Sequence, residues 1–160
     1  MRLVIAAVGK LKDGAERELY ARYAERLGGT GRGVALGPLE LREIAEGKAQ
    51  ATDARMADEA ERLLAQCRAA DACILLDERG KSRTSVQFAT LMRELRDGGT
   101  SQLAFLLGGP DGHGEAARKA ARHTLSLGPM TLPHGLARVV LAEQIYRAAT
   151  ILAGHPYHRA

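Results

Sequence analysis

The chain has 160 residues, of which 46% are hydrophobic and 26% are charged, with a formal net charge of +4 at pH 7. This length and composition predict a single globular domain covering residues 1–160 and argue against disorder. No apolar run is long enough to span a membrane and no secretory signal pattern is visible, so we expect a cytoplasmic protein. Aromatic residues make up only 4% of the chain, which argues against an extended base-stacking platform for RNA.

The cysteines and histidines do not suggest a metal site. Cys67 and Cys73 lack the spacing of metal ligands, and two isolated thiols are typical of a reducing compartment. His134, His155 and His158 lack the close spacing, backed by acidic residues, that a hydrolytic zinc site needs. We therefore predict that the protein holds no metal.

Strand-like and helix-like segments alternate along the chain. The predicted strands are 3–8, 39–44, 72–76, 103–107 and 124–127, and the predicted helices are about 15–27, 52–68, 85–97, 114–122 and 135–153. Gly28-Gly29 reads as the end of the first helix and Thr52 as the cap of the second. Continuous apolar strands separated by helices predict an α/β fold with a mostly parallel sheet and helices on both faces. The strand at 39–44 alternates apolar and charged residues, which is typical of a sheet edge.

The last predicted helix is apolar almost all the way round. Glu143, Gln144 and Arg147 cluster on one side and Arg138 lies roughly opposite, while nearly every other position is aliphatic. Such a helix must be covered on more than one side, and the sheet supplies only one cover. The sequence therefore predicts a homodimer in which a second copy of the chain supplies the other.

Two glycine-containing turns follow buried strands near the C-terminus. The first is Gly108-Gly109-Pro110-Asp111-Gly112, and the second lies within residues 125–134. The first lacks the residues of a Walker A loop and the spacing of a dinucleotide fingerprint, so a plain tight turn is about as plausible as a ligand site. Open α/β sheets bind ligands at the carboxyl ends of strands, and this context favours a ligand.

Two charged segments allow both a functional and an ordinary interpretation. Asp77, Glu78, Arg79 and Lys81 form a turn that local ion pairs explain as well as acid–base chemistry does. The C-terminal segment 155–159 is rich in histidine, tyrosine and arginine around a proline, and could form a lid with titratable groups. Most chain ends, however, have no function of this kind.

Taken together, four segments in this order resemble the RlmH family. Its members are bacterial methyltransferases of the SPOUT class that methylate N3 of a pseudouridine in 23S ribosomal RNA. The segments are 75–81, 107–112, 125–134 and 155–159, and the resemblance covers the whole chain. It implies a deep trefoil knot formed by the C-terminal part, a homodimer, and 23S rRNA within the assembled ribosome as the partner.

The resemblance also implies where the site lies. S-adenosylmethionine is expected to bind to the turns that follow the strands, at Leu76, Gly108, Gly109, Leu127, Gly128, Pro129, Met130, Thr131 and Leu132. A second expectation concerns the C-terminal segment 155–159, which we call the tail. Together with Arg138, the tail is expected to position a base for the N3 proton of pseudouridine and to stabilise the resulting imide anion. The residues concerned are Tyr157, His158, Arg159 and Arg138, with the tail acting from the same subunit or from its partner.

Two other functions remain open at this point. One is a SPOUT methyltransferase that acts on a different RNA, against which the ending His155–Arg159 and the lack of an added domain argue. The other is a non-catalytic ribosome-binding assembly factor that keeps the fold.

Overall fold

The computed structural model describes residues 1–159 and has five strands and five helices. The strands are β1 (Arg2–Val8), β2 (Leu39–Ile44), β3 (Ala72–Leu76), β4 (Gln102–Leu107) and β5 (His123–Leu125). The helices are α1 (Ala15–Thr30), α2 (Thr52–Gln66), α3 (Ser85–Asp97), α4 (Glu115–Ala120) and α5 (His134–Leu152), with a 3-10 helix at Gly31–Val34. Within residues 1–159, none of the helices combines the length and the apolar character that crossing a membrane requires.

The five strands form one sheet in the order β2-β1-β4-β3-β5, and all four pairings are parallel. This confirms the predicted α/β class, and it confirms that β2 lies at an edge. Parallel strands need crossover connections, which the intervening helices supply. Because all strands run the same way, their carboxyl ends meet along one edge of the sheet.

The sheet is covered on both faces, as its continuous apolar strands predict. Alternate strand residues such as Ile5, Ile74 and Phe105 face one core with α1, α3 and α5. The residues between them, such as Val4, Leu75 and Leu106, face a second core with α2 and α4. This two-residue alternation of side chains lets one strand serve two cores.

Two predicted helix ends differ from the structure. The α1 helix continues through Gly28 and Gly29 to Thr30 and passes into the 3-10 helix, whose Gly31 lies against the carbonyl of Leu36. The helix therefore ends where packing against the next segment requires it. Thr52 is the first residue of α2, and no side chain caps this helix. In contrast, α3 begins at the predicted place with a complete capping box between Thr84 and Gln87.

The α5 helix is covered largely by its own chain. It packs on the sheet between α1 and α3, and Leu141, Ile145 and Ala148 are completely buried. The cover that the apolar pattern assigned to a second subunit is therefore supplied mainly by α1 and α3. Leu136, which is 41% exposed, is the large apolar side chain that α5 leaves at the surface. The homodimer stays a prediction.

Candidate active site

A cavity of about 810 Å³ opens at the carboxyl ends of β3, β4 and β5. Its walls come from the ends of these three strands, from the turn after β4 and from the segment between β5 and α5. The apolar lining residues are Leu76, Leu107, Pro110, Leu125, Leu127, Met130, Leu132, Pro133 and Ala137. Its size lies within the range usual for small-molecule sites, and its position is the usual ligand position of open α/β sheets.

The turn after β4 leaves little space for side chains at its first two glycines. A Cβ atom at Gly108 would lie 2.7 Å from the carbonyl oxygen of Gly112, and one at Gly109 would lie 2.8 Å from Glu59 Oε2. The Gly112 N–H donates to the Gly109 carbonyl at 3.0 Å and closes the turn. The absence of side chains brings the backbone of β4 directly to the cavity wall.

The segment between β5 and α5 forms the opposite wall. Ser126 Oγ donates to the carbonyls of Glu78 and Gly128 at 3.1 and 3.2 Å, and also accepts the Gly128 N–H at 3.1 Å. Gly128 has φ +122°, a backbone conformation that favours glycine. Met130 is 82% exposed although it lines the cavity, so its side chain stands at the mouth.

The structure brings most of the predicted cofactor residues together. Eight of the nine line this one cavity: Leu76, Gly108, Gly109, Leu127, Gly128, Met130, Thr131 and Leu132. Pro129 belongs to the same segment but is not among the lining residues. Gly109 and Met130, which are 21 positions apart in the chain, thus contribute to a single cavity, as the binding of one cofactor to both glycine-containing turns requires.

His113 is a site residue that the sequence interpretation missed. Its Nε2 atom lies 2.8 Å from the Leu76 carbonyl oxygen and 3.2 Å from the Gly108 nitrogen, so it connects the ends of β3 and β4. The ring is 4% exposed and Nδ1 has no partner among the described residues. Burial lowers the pKa of His113, which keeps the imidazole neutral. A histidine directly after Gly112 was the only signal in the sequence.

Charged side chains surround the mouth of the cavity and are mostly paired. Asp77 accepts from Arg118 Nη1 at 2.6 Å and from the Arg79 N–H at 2.9 Å. Burial opposes the ionisation of Asp77, but these two donors lower its pKa below the ordinary value. Asp111 pairs with Arg55 at 2.7 Å, and this pair connects the turn after β4 to α2. The apolar walls therefore sit behind a polar rim.

The C-terminal tail folds back onto its own α5 helix. Tyr157 OH donates to Glu143 Oε1 at 3.1 Å, and the Arg147 guanidinium stacks on the Tyr157 ring at 4.8 Å. His158 Nδ1 lies 3.4 Å from Arg147 Nη1, and Arg159 is exposed. Burial raises the pKa of Tyr157, and its hydrogen bonds with Tyr23 and Glu143 raise it further.

This position separates the tail from the cavity of its own subunit. His134 and Ala137, in the first turn of α5, line the cavity, whereas Glu143 and Arg147 lie six and ten residues beyond Ala137. At 1.5 Å per residue these separations correspond to about 9 and 15 Å along the axis. The structure thus does not bring Tyr157, His158 and Arg159 to the predicted cofactor residues of the same chain.

Arg138 is not among the residues that line this cavity. It is 2% exposed, and its guanidinium donates to Glu43 Oε1 at 2.8 Å and to the carbonyls of Val8 and Gly9 at 2.6 and 2.8 Å. These contacts join α5 to the ends of β1 and β2 and give Arg138 a structural role. The residue also lines a smaller second cavity next to the loop after β1, and its predicted role in catalysis stays a prediction.

Across residues 1–159, no group of three or more histidine, cysteine, aspartate or glutamate side chains is arranged to hold a metal ion. Cys67 and Cys73 are buried and unpaired by disulfide, in the second core of the sheet. Burial raises the pKa of the Cys67 thiol to about 12, so this cysteine is unsuited to act as a nucleophile.

The fold and the cavity define an α/β protein with a candidate ligand site at the carboxyl ends of parallel strands. The family model described as "Predicted SPOUT methyltransferase" matches residues 1–158. Two relatives, from Xanthobacter autotrophicus and Mesorhizobium japonicum, are 52% and 50% identical over 160 residues, with full coverage of both chains. Both carry the name "Ribosomal RNA large subunit methyltransferase H". The chain belongs to the SPOUT methyltransferase family, within the RlmH group that its motifs resemble.

Among solved structures, the SpoU methyltransferase AviRb from Streptomyces viridochromogenes, in complex with the cofactor AdoMet, is similar to the chain at 14% identity. The similarity covers 94% of this chain and 60% of that chain with a TM-score of 0.42. A similarity at this level adds nothing to the family assignment.

Proposed function

We propose that the protein is an S-adenosylmethionine-dependent methyltransferase that modifies N3 of a pseudouridine in the 23S rRNA of the assembled ribosome. Family membership and relatives named as large-subunit rRNA methyltransferases support this activity. The observation that carries the proposal is the single cavity shared by the turn after β4 and the segment after β5. A ribosomal substrate also implies work in the cytoplasm.

The residues of the cavity fit S-adenosylmethionine. The adenine ring is flat and apolar on its faces, which suits the aliphatic walls, and its polar edge needs donors and acceptors. The exposed backbone near Gly108 and in residues 126–133 can supply these, because this segment lies outside helices and strands. A side chain at Gly108 would collide with the backbone of the turn, and one at Gly109 would meet Glu59, so the close approach of backbone to ligand depends on glycine.

The cofactor supplies an electrophilic methyl group, and the protein residues mainly orient the reactants. N3 of pseudouridine is an imide nitrogen that carries a proton at neutral pH and loses it during the reaction. A basic side chain or a water molecule accepts that proton, and nearby positive charge can stabilise the imide anion that is left. His134 lines the cavity and also a second one, of about 520 Å³, next to the loop after β1. A nucleotide in that direction would approach the methyl group from the side of α5.

We further propose that the protein works as a homodimer, with the C-terminal knot of its family, and that each tail serves the cavity of the other subunit. The support is geometric. The tail is held about 9 to 15 Å along α5 from the last residue of that helix that lines its own cavity. Met130 and Leu136, both at the surface near the start of α5, offer apolar area for a subunit contact.

The activity is tested by methyl transfer to ribosomes from a strain that lacks the gene. We expect the purified protein to transfer one methyl group per ribosome and mass mapping of 23S rRNA to place it on a pseudouridine. Calorimetry with S-adenosylmethionine should show one binding site in the cavity. Cofactor binding without methylation of any RNA would contradict the proposal, as would modification of a transfer RNA in place of 23S rRNA.

The action of the tail across subunits is tested by mixing two inactive variants. Gly108→Ala impairs the cavity, and the double substitution His158→Ala/Arg159→Ala impairs the tail. If the tail serves the partner, mixed dimers contain one intact site and recover up to about half of the activity per site. If it serves its own subunit, mixing restores nothing. Full activity of the tail variant alone would remove the tail from the mechanism.

A further inference from the structure

We infer that the exposed basic surface around β5 binds the phosphate backbone of the RNA substrate and so determines how the target reaches the cavity. We call this the β5 surface; it consists of Arg79, Lys81, Arg118, Lys119 and Arg122. The inference rests on the proposed function, since it names the part of the protein that holds the RNA. No residue of the β5 surface other than Arg79 and Arg118 lines the cavity.

Positive charge is dense at this place. Residues 77–83 and 115–123 together carry six arginine and lysine side chains and three acidic ones, a net charge of +3 over 16 positions. Residues 1–36 also carry +3, but spread over more than twice as many positions. A dense basic excess on one surface is a feature expected of nucleic-acid binding, whereas a dispersed one is common in all proteins.

The two segments are held side by side by contacts with β5. The Lys81 N–H donates to Thr124 Oγ1 at 3.3 Å, and the Lys81 carbonyl accepts the Ser126 N–H at 3.2 Å. Arg122 directly precedes β5, only two positions before Thr124. Since strand residues rise about 3.3 Å each, the backbones of Lys81 and Arg122 lie roughly 10 Å apart, which is within reach of neighbouring phosphates.

Most of these cations are free to meet phosphates. Lys81 and Arg122 form no ion pair within the described chain, and Arg79 is 89% exposed with its nearest carboxylate 4.0 Å away. Lys119 pairs with Glu115 at 2.8 Å, but both side chains are more than 70% exposed, and such pairs contribute little. Only Arg118 is engaged firmly, by the buried carboxylate of Asp77.

The surface suits a polyanion better than another protein. The exposed large hydrophobic residues of the described chain are Val86, Met130 and Leu136, and none of them belongs to the β5 surface. A protein interface usually has an apolar centre, whereas phosphate binding needs spaced cations that release counterions. Arg79 and Arg118 also line the cavity, so RNA bound here would lie directly at its mouth.

The test is the binding of ribosomes from a gene-deletion strain, measured by co-sedimentation at several salt concentrations. The variant Lys81→Gln/Lys119→Gln/Arg122→Gln should bind at least about ten-fold more weakly at 0.1 M salt, with a log–log salt slope smaller by about 2 to 3. Its affinity for S-adenosylmethionine should be unchanged. The matched control Arg2→Gln/Arg68→Gln/Arg93→Gln removes the same charge from exposed positions away from the carboxyl ends of the strands and should bind normally.

Three outcomes would overturn the inference: unchanged ribosome binding of the first variant, an equal loss in the control variant, or crosslinking of Lys81 and Lys119 to ribosomal protein instead of rRNA. Ultraviolet crosslinking with peptide mass spectrometry gives the last result. The binding assay does not require methyl transfer. If the wild-type chain failed to methylate ribosomes, that result would contradict the proposed function, and the comparison of ribosome binding between the variants would still test the inference.

Discussion

The tripeptide Leu-Gly-Gly occurs twice in this chain, and the structure uses it in two different ways. Leu27-Gly28-Gly29 lies within α1, and Leu107-Gly108-Gly109 lies at the end of β4. A Cβ atom added to Gly28 or Gly29 would meet no atom within 4 Å. One added to Gly108 or Gly109 would lie under 3 Å from Gly112 or Glu59. The same tripeptide thus lines the cavity at the end of β4, whereas in α1 it forms ordinary helix in which the glycines have space for a side chain.

The difference comes from what surrounds each pair. The helix closes its own hydrogen bonds, so it needs nothing from neighbouring segments at Gly28. The strand end at Gly108 is enclosed by its own return turn, by His113 and by Glu59, which belongs to α2. A glycine is required only where other backbone occupies the position of a side chain. Substitution of these glycines and of their neighbours should therefore have unequal effects, largest at Gly108 and smallest at Gly28.

Gly108→Ala should damage the cavity most. The added methyl group would lie 2.7 Å from the carbonyl oxygen of Gly112, which is backbone and can move only if the turn opens. A distortion of this kind costs about 2 kcal/mol or more, which corresponds to about a thirty-fold loss of cofactor affinity or more. Calorimetry with S-adenosylmethionine measures it. Affinity within two-fold of the original protein would show that the turn does not hold the cofactor.

Gly109→Ala should have a smaller effect, and a second substitution should relieve it. Its methyl group would meet the carboxylate of Glu59, a side-chain end that can shift, at 2.8 Å. We expect a loss of cofactor affinity of about 1 kcal/mol, partly recovered in the double variant Gly109→Ala/Glu59→Ala. The control is Glu59→Ala alone, which removes the acceptor of the Gly47 N–H. Additive losses in the double variant would mean that the carboxylate is not the obstacle.

The strands β1, β3 and β4 could be predicted from sequence because each is a continuous apolar run between turn residues, and β2 could be predicted from its alternation of apolar and charged residues. For the short β5 the sequence predicts 124–127, whereas the strand lies at His123–Leu125. The order of the strands, β2-β1-β4-β3-β5, could not be predicted, since it depends on pairing between segments far apart in the chain. The same limit applies at the site. The turn at Gly108-Gly109 was visible locally, but His113 acts through the carbonyl of Leu76, 37 residues away, and Arg138 is held by Glu43, 95 residues away.

His113, whose Nε2 atom lies next to the Gly108 nitrogen, should make the free energy of unfolding depend on pH. Its ordinary pKa is 6.5 and burial lowers it in the folded state. Between these two values the unfolded chain binds more protons, so the free energy of unfolding falls as the pH drops from 6.5 toward the folded value. The slope reaches at most about 1.4 kcal/mol per pH unit for one group.

Urea unfolding at pH 7.5 and pH 5.5 tests this dependence. His113→Gln should lose less stability between the two pH values than the original protein does, whereas the same substitution at exposed His155 should leave the difference unchanged. Equal pH dependence in the original protein and in His113→Gln would show that this ring does not remain neutral in the folded state.

The smallest effect should be found in the first glycine pair, and it should have the opposite sign. Gly28 is inside α1, which continues to Thr30, and its surroundings leave room for a methyl group. Alanine there restricts the unfolded chain and favours the helix, so Gly28→Ala should raise the free energy of unfolding by about 0.5 to 1 kcal/mol. Cofactor affinity should not change, because Gly28 is remote from the cavity lining. Destabilisation by Gly28→Ala would mean that α1 ends at this glycine pair, as the sequence pattern alone indicates, and the contrast between the two tripeptides would disappear.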